Sequence, residues 1–97
     1  MDQRIVLDEK RARFEDLMDF PAVTLMRVVG APGEAMLREA LAVASAGGLR
    51  PAVLQGSRPS SQGHYIAHHI EVEVSDADAL RGLYAALKAV PGVRIVL

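Results

Sequence analysis

Residues 65–97 have the sequence YIAHHIEVEVSDADALRGLYAALKAVPGVRIVL, in which three hydrophobic patterns follow one another. Apolar and polar side chains alternate over residues 65–74, as in a strand with one packed face and one wetter face. Leucine, tyrosine and valine then recur at helical spacing over residues 80–90. Pro91–Gly92 ends that pattern before a short apolar run, residues 93–97. This part of the chain therefore predicts a strand, a helix and a second strand.

The preceding part of the chain predicts the same order of elements. Residues 23–29 are almost continuously apolar, with Arg27 the one charged interruption, which is typical of a strand inside a sheet. Apolar residues then recur at helical spacing over residues 33–46, and Gly47–Gly48 is expected to end this helix in left-handed backbone. Residues 51–58 predict a second strand, followed by a polar hairpin loop.

The combined order is βαββαβ, which predicts an α+β protein. Two helices on one face of a four-stranded antiparallel sheet, joined by right-handed crossovers, form the ferredoxin-like two-layer sandwich with strand order 4-1-3-2. We place this domain at residues 20–97. Residues 1–19 are charged and weakly patterned, and we expect them to form an N-terminal extension: a tail, a short helix or an edge strand. Ser75 and Asp78 resemble a capping box at the start of the second helix.

Composition excludes several functions. The chain has 97 residues, a formal net charge of −1 and no cysteine. Weak net charge gives little attraction for phosphate backbones, so we expect no nucleic-acid partner. The lack of cysteine excludes disulfides, thiolate catalysis and cysteine-ligated metals. No apolar run is long enough for a bilayer span or a signal-peptide core, so we expect no membrane partner and a cytoplasmic location.

The three histidines, His64, His68 and His69, do not predict a metal site. Residues 64 and 68 of a strand lie about 13 Å apart, while residues 68 and 69 point to opposite faces. We therefore expect no metal and no cofactor. His68 falls on the packed face, where an imidazole needs a hydrogen-bond partner or a gap open to solvent. Since the polar residues form no catalytic constellation, we also predict that the protein is not an enzyme.

Two loops are candidate binding sites for a small anion. The first is the turn of Gly30, Pro32 and Gly33, which opens the first helix and presents free N–H groups. The second is the corner around Arg58 in the predicted hairpin. The candidate residues of this corner are Arg58, Ser60, Ser61, Gly63 and Tyr65.

The face of the sheet away from the helices is a candidate interface. If the packed side chains of the first strand are residues 24, 26 and 28, apolar groups remain on the opposite face. The candidate interface residues are Val23, Leu25, Arg27, Val29 and His69. Either the N-terminal segment or a second subunit could cover them, and we favour a homodimer.

Five short motifs occur in order between Asp19 and Leu97. They are Asp19-Phe20-Pro21, Arg27-Val28-x-Gly30, Arg58-Pro59-Ser60-Ser61-x-Gly63-x-Tyr65, Leu83-Tyr84-x-x-Leu87 and Val93-Arg94-x-Val96-Leu97. In this order and spacing the chain resembles the YbeD-like family of small bacterial proteins of unknown function. His68 departs from the family, which is apolar at that position.

The resemblance implies a fold similar to ACT regulatory domains, which bind small effectors such as amino acids at a dimer interface near the loop of Gly30, Pro32 and Gly33. It brings no catalytic residues. We therefore predict a small non-enzymatic regulatory domain that senses a small anionic metabolite at the Gly30 turn, between the first strand and the first helix, and modulates a partner enzyme. The alternative is a protein-interaction module without a ligand, docking through its sheet face or the Arg58 loop.

Overall fold

The computed structural model describes residues 18–97, which fold into four strands and two helices. The elements are β1 (Ala22–Gly30), α1 (Glu34–Gly47), β2 (Val53–Pro59), β3 (Ile66–Val74), α2 (Ala77–Lys88) and β4 (Val93–Val96). Nearly all of the extension predicted for residues 1–19 lies outside the described residues. No helix in the described part of the chain is long and apolar enough to cross a membrane.

The strands form one antiparallel sheet in the order β2-β3-β1-β4. This is the predicted order 4-1-3-2 counted from the other edge, so the ferredoxin-like topology is confirmed. The central strands β1 and β3 pair without a register shift, from Ala22 opposite Val74 to Gly30 opposite Ile66. Beyond the last residue of β4, the backbone of Leu97 still exchanges two hydrogen bonds with Arg27, at 2.8 and 2.9 Å.

The hydrophobic core lies between one face of this sheet and the two helices. Because side chains alternate along a strand, β1 sends Met26 and Val28 into the core while Val23 and Leu25 remain 60% exposed on the other face. The division of β1 predicted from its sequence is therefore confirmed. The strands and helices share a core of buried side chains: Met26, Val28, Met36, Ala40, Ala44, Ile70, Val72, Val74, Leu80, Leu83, Leu87, Val90 and Val96. Each large one contributes about 1.5–3 kcal/mol by leaving water.

The helix ends differ in detail from the prediction. The N-cap of α2 is Asp76, whose Oδ1 accepts a hydrogen bond from the Ala79 N–H at 2.8 Å, so the capping box starting at Ser75 was wrong by one residue. Gly48 ends α1 with φ −105°, which is not left-handed backbone. A glycine is needed at position 48 because of close packing, since an added Cβ would lie 2.7 Å from Val72 Cγ1.

The outer strand β2 is irregular. Leu54 lies opposite Ile70, but the next pair is Gly56 with His69, so Gln55 forms a bulge. The bulge determines which residues of the second half of β2 lie opposite β3. It places Ser57 opposite His68 and Arg58 opposite Ala67.

Gly30 lies at a close approach between the end of β1 and the turn before β4. The Ala31 N–H donates to the Gly92 carbonyl at 2.9 Å. A Cβ on Gly30 would lie 2.2 Å from that carbonyl oxygen and 2.5 Å from Met36 Sδ. The space beside Gly30 is therefore filled by the protein itself, and the glycine is needed for packing.

We expect Gly30→Ala to lower the free energy of unfolding by about 3 kcal/mol, because the new methyl group has to displace backbone. Gly82→Ala is the matched control. It lies within α2 with nothing within 4 Å of its added Cβ, and it should raise the same free energy by about 0.5–1 kcal/mol through helix propensity. Urea unfolding followed by circular dichroism measures both. Equal stability of Gly30→Ala and the wild type would contradict the packing role.

Candidate functional site

A cavity of about 510 Å³ lies on the open face of the sheet, at the end that carries the β2–β3 hairpin loop. Its lining residues come from β1, β2, β3 and the loop: Arg27, Val29, Arg58, Pro59, Ser60, Ser61, Tyr65, Ile66, Ala67 and His69. We call this the hairpin cavity.

Strand register explains why the cavity forms here. In one row across the sheet Arg58 lies opposite Ala67, which lies opposite Val29. In the next row on the same face Gly56 lies opposite His69, which lies opposite Arg27. The small side chain of Ala67, which lies opposite Arg58 in the row next to that of Arg27, leaves room at the floor of the cavity. The two guanidinium groups therefore border a concave surface.

Ser60 holds the hairpin loop closed. Its N–H donates to the Tyr65 carbonyl at 2.9 Å, and its Oγ accepts from the Tyr65 N–H at 3.2 Å. The Gly63 N–H donates to the Ser60 carbonyl at 3.0 Å. Tyr65 in turn lies under the guanidinium of Arg94, whose Cζ is 5.5 Å from the ring centroid, a cation–π contact. The loop wall of the cavity is thus fixed by backbone hydrogen bonds, by the Ser60 hydroxyl and by the contact of Tyr65 with Arg94.

The positive charge of the cavity is not neutralised by the described residues. Arg38, Arg50 and Arg81 each contact a carboxylate, at 3.3, 2.8 and 2.9 Å. In contrast, no ion pair or hydrogen bond joins the side chain of Arg27 or Arg58 to any residue in 18–97. These two arginines, which lack a carboxylate partner within that range, both line the cavity.

The structure groups the predicted ligand-binding and interface residues differently from the sequence analysis. The cavity brings together Arg58, Ser60, Ser61 and Tyr65, which were predicted to bind a ligand, with Arg27, Val29 and His69, which were predicted to form an interface. It does not include the predicted ligand residues Gly30, Pro32, Gly33 and Gly63, or the predicted interface residues Val23 and Leu25. Sequence patterns could not join the two sets, because the strand register that joins them depends on the bulge in β2.

A hydrogen bond between the buried His68 and the exposed Ser57, on the packed side of the sheet, was missed. His68 is 2% exposed, and its Nδ1 lies 2.6 Å from Ser57 Oγ in a hydrogen bond whose direction depends on the tautomer. Its Nε2 is buried without a partner among the described residues. The sequence signal was the histidine on the packed face, which needed a polar partner, but only the register of β2 identifies Ser57 as that partner.

Burial keeps His68 neutral. Loss of solvent, and then the nearby His69, lower the pKa of His68 below its ordinary value of 6.5. A proton would place charge on an imidazole whose Nε2 has no acceptor among the described residues. The Ser57–His68 pair also lacks, within residues 18–97, a third group that could hold Nε2 and stabilise an imidazolium.

The comparisons with known proteins match most of the chain. Residues 15–97 match the family described as "Protein of unknown function (DUF493)". A UPF0250 protein of Shewanella putrefaciens is 36% identical over 88 residues, which are 88% of this chain and 96% of the relative. A UPF0250 protein of Shewanella oneidensis is 34% identical with the same coverage.

Solved structures share the fold. Protein HP0495 from H. pylori superposes with a TM-score of 0.69 at 16% identity, over 93% of this chain and 92% of its own. The ACT domain from GTP pyrophosphokinase of Chlorobium tepidum superposes with a TM-score of 0.56 at 20% identity, over 77% of this chain and 94% of its own. These likenesses confirm the expected ACT-like fold.

The buried histidine predicts an acid-sensitive stability. Since the folded-state pKa of His68 is lowered, the unfolded chain binds the proton more readily, and stability is complete above pH 6.5. The free energy of unfolding should therefore fall as the pH drops from 6.5 towards the lowered pKa, by at most about 1.4 kcal/mol per pH unit from this group.

Two variants distinguish the effect of His68 protonation on stability from the effect of its packing. His68→Leu and His68→Gln should both lose this part of the pH dependence, and only His68→Leu should keep wild-type stability at pH 7.5, because it leaves no buried polar atom unpaired at position 68. Urea unfolding between pH 5 and 7.5 measures the slope. A slope as steep in both variants as in the wild type would show that another group causes it.

Proposed function

The chain belongs to the DUF493 family of proteins of unknown function, as its resemblance to the YbeD-like proteins predicted, and we propose that it is a non-enzymatic regulatory domain that binds a small anionic metabolite in the hairpin cavity. Binding would modulate a partner enzyme. The observation that carries the proposal is the pair Arg27 and Arg58, which border one concave surface without a carboxylate partner among residues 18–97.

Two guanidinium groups favour a ligand with two negative charges or one phosphate. Each planar guanidinium can donate two parallel hydrogen bonds to a carboxylate or phosphate, and such charge-assisted bonds are among the strongest in proteins. Ser61 in the loop and His69 on the floor add polar groups, while Val29 and Ile66 give the cavity an apolar part. A phosphate monoester or a dicarboxylate with a short carbon skeleton fits this chemistry.

The lining residues support binding better than catalysis. The titratable side chains of the cavity are Arg27, Arg58, Tyr65 and His69. No hydrogen bond between described side chains joins two of them into a nucleophile and a base, which acyl or phosphoryl transfer would need. The ACT-like fold adds support for a regulatory role by analogy of architecture only.

The proposal places the ligand at the hairpin cavity and not at the Gly30 turn. Gly30, Pro32 and Gly33 do not line the cavity. The room beside Gly30 is taken by the Gly92 carbonyl and by Met36. The hairpin end of the open face has both the two arginines and the concave shape.

Titration of the protein with phosphate monoesters, dicarboxylates and amino acids, followed by NMR chemical shifts and calorimetry, tests the proposal. A binding anion should shift the amides of residues 58–69 first. Arg58→Gln and Arg27→Gln should each weaken its binding at least about 10-fold, since each removes a charge-assisted hydrogen-bond donor. Arg38→Gln is the matched control, because Arg38 lies on α1 and contacts Glu34.

Two results would contradict the proposal. One is a panel in which no compound binds, and the other is binding that both cavity variants retain. If no anion binds while a protein partner is captured from a lysate and lost on Arg58→Glu, the protein is an interaction module that docks through this loop.

A further inference from the structure

The open face of the sheet exposes an unusual amount of apolar surface. Val23 and Leu25 are each 60% exposed on β1, Val53 is 50% exposed on β2, and Ile95 and Leu97 at the β4 edge are 49% and 59% exposed. Cross-strand pairing places Val53 and Leu25 on either side of Glu71, and Ile95 beside Val29, so these side chains share one face. Several large exposed apolar side chains on one face, interleaved with charged groups, are typical of a surface that binds another molecule.

Charges of opposite sign lie at the two ends of the same face. One end has the guanidinium groups of Arg27 and Arg58, with the polar side chain of His69 beside them. Moving along β3, the next two open-face positions are Glu71, opposite Leu25, and Glu73, opposite Val23. The face is therefore cationic towards the hairpin loop and acidic towards the start of β1.

The acidic end keeps the charge of one of its two carboxylates. Glu71 Oε1 accepts a hydrogen bond from the Gln55 side-chain amide at 2.8 Å, and this neutral donor does not cancel the carboxylate. Glu73 is paired with Arg50 at 2.8 Å. Glu71 thus remains the main negative group next to the apolar residues.

We propose that the occupant of this face is a second copy of the same chain, packed sheet on sheet about a two-fold axis that runs across the strands. Such an axis turns the second copy end for end, so the cationic end of each copy lies over the acidic end of the other. An axis along the strands would place like charges together. The polarity of the face therefore selects both the partner and its orientation.

The register of β1 and β3 identifies the central contacts of this dimer. The row of Arg27 and His69 is adjacent to the row of Leu25 and Glu71. With the axis between these two rows, Arg27 and His69 of one copy approach Glu71 of the second copy, and the contact occurs twice by symmetry. Leu25 and Val23 provide the apolar surface around it.

The size of the face limits the affinity. From strand length and spacing, the four strands present about 450 Å² per copy, so a dimer covers about 900 Å² of projected surface. This lies below the roughly 1,200–2,000 Å² of stable interfaces and in the range of weak, transient ones, so we expect a reversible dimer with a dissociation constant on the order of 10 μM. The protein should therefore change from monomer to dimer over a range of protein concentrations that can be measured.

The hairpin cavity occupies the cationic end of the same face, so a bound anion and the second copy would use some of the same arginines. Dimerisation does not rest on the proposed ligand. It is measured without phosphate or carboxylate in the buffer, and a failure of either proposal leaves the other testable.

Charge reversal and its complementation test the dimer by analytical ultracentrifugation. Arg27→Glu should repel Glu71 of the second copy, and Glu71→Arg should repel Arg27, so each variant alone should raise the dissociation constant at least about 10-fold. When the two variants are mixed, one of the two symmetry-related contacts keeps the native pair and the other has the same pair with its charges exchanged. The mixture should form a heterodimer of about wild-type affinity, which a misfolded variant could not do.

Arg38→Glu and Glu34→Arg are the matched controls. Both residues lie on α1, with side chains 76% and 88% exposed, on the opposite layer of the protein. Each control should dimerise like the wild type, and mixing them should have no effect. A shift as large as that of Arg27→Glu would show that net charge, not the open face, governs association.

Three outcomes would overturn the proposal. The wild type could remain monomeric up to about 0.3 mM, far above the expected constant, which would assign the face to another occupant such as residues 1–17. It could dimerise equally well with either charge reversal, which would locate the interface elsewhere. Last, the two weakened variants could fail to complement each other, which would reject the two-fold arrangement.

Discussion

The register between β1 and β3 is the constraint on which the rest of the molecule depends. Nine consecutive residue pairs run from Ala22 and Val74 to Gly30 and Ile66 without a shift. Because side chains alternate along both strands, a slip by one residue on either strand would turn Met26 and Val28, or Ile70 and Val72, away from the helices. It would bring Arg27 or His69 into the apolar interior instead. The loss of buried surface and the burial of charge both oppose that slip, so the register is set by the core.

Because side chains alternate, one face of the sheet stabilises the fold and the other face presents groups that can bind a partner. The buried residues between the sheet and the two helices have little freedom to change chemistry, since each is enclosed by its neighbours. Residues that face the other way carry no such packing requirement, and here they include two arginines, a histidine and two glutamates. Within residues 18–97, the two helices cover one side of the sheet and the other side is exposed. Both proposed activities use that side, which makes competition between a small anion and a protein partner a natural form of control.

Much of the fold could be predicted from the sequence, because it depends on local periodicity. The changes of hydrophobic period between residues 23 and 97 indicate six elements, and the handedness of crossovers then selects the strand order. The faces of β1 could be assigned for the same reason. Helix ends were less predictable, since Ser75 and Asp76 are both good N-caps and only the backbone geometry selects Asp76.

The site was predicted only in parts, because it depends on non-local pairing. Arg58 was predicted to bind an anion and Arg27 to lie at an interface, but nothing local shows that they border the same cavity. Their relation is created by the bulge at Gln55, which brings Arg58 opposite Ala67. Ser57 becomes the partner of His68 through the same bulge. A single extra residue in an edge strand thus decides two features that no periodicity reveals.

The bulge also makes the exposed edge of β2 a poor template for the addition of further strands. Edge strands expose backbone donors and acceptors that can template further strands, and association of this kind has no end point. In β2 the extra residue interrupts the hydrogen-bond spacing after Leu54, and Pro59 removes a donor at the far end, so only a few residues between them remain evenly spaced. Growth of a fibre by strand addition at the edge of β2 is therefore disfavoured. The proposed contact across the flat of the sheet, in contrast, is two-fold symmetric and would end at two copies.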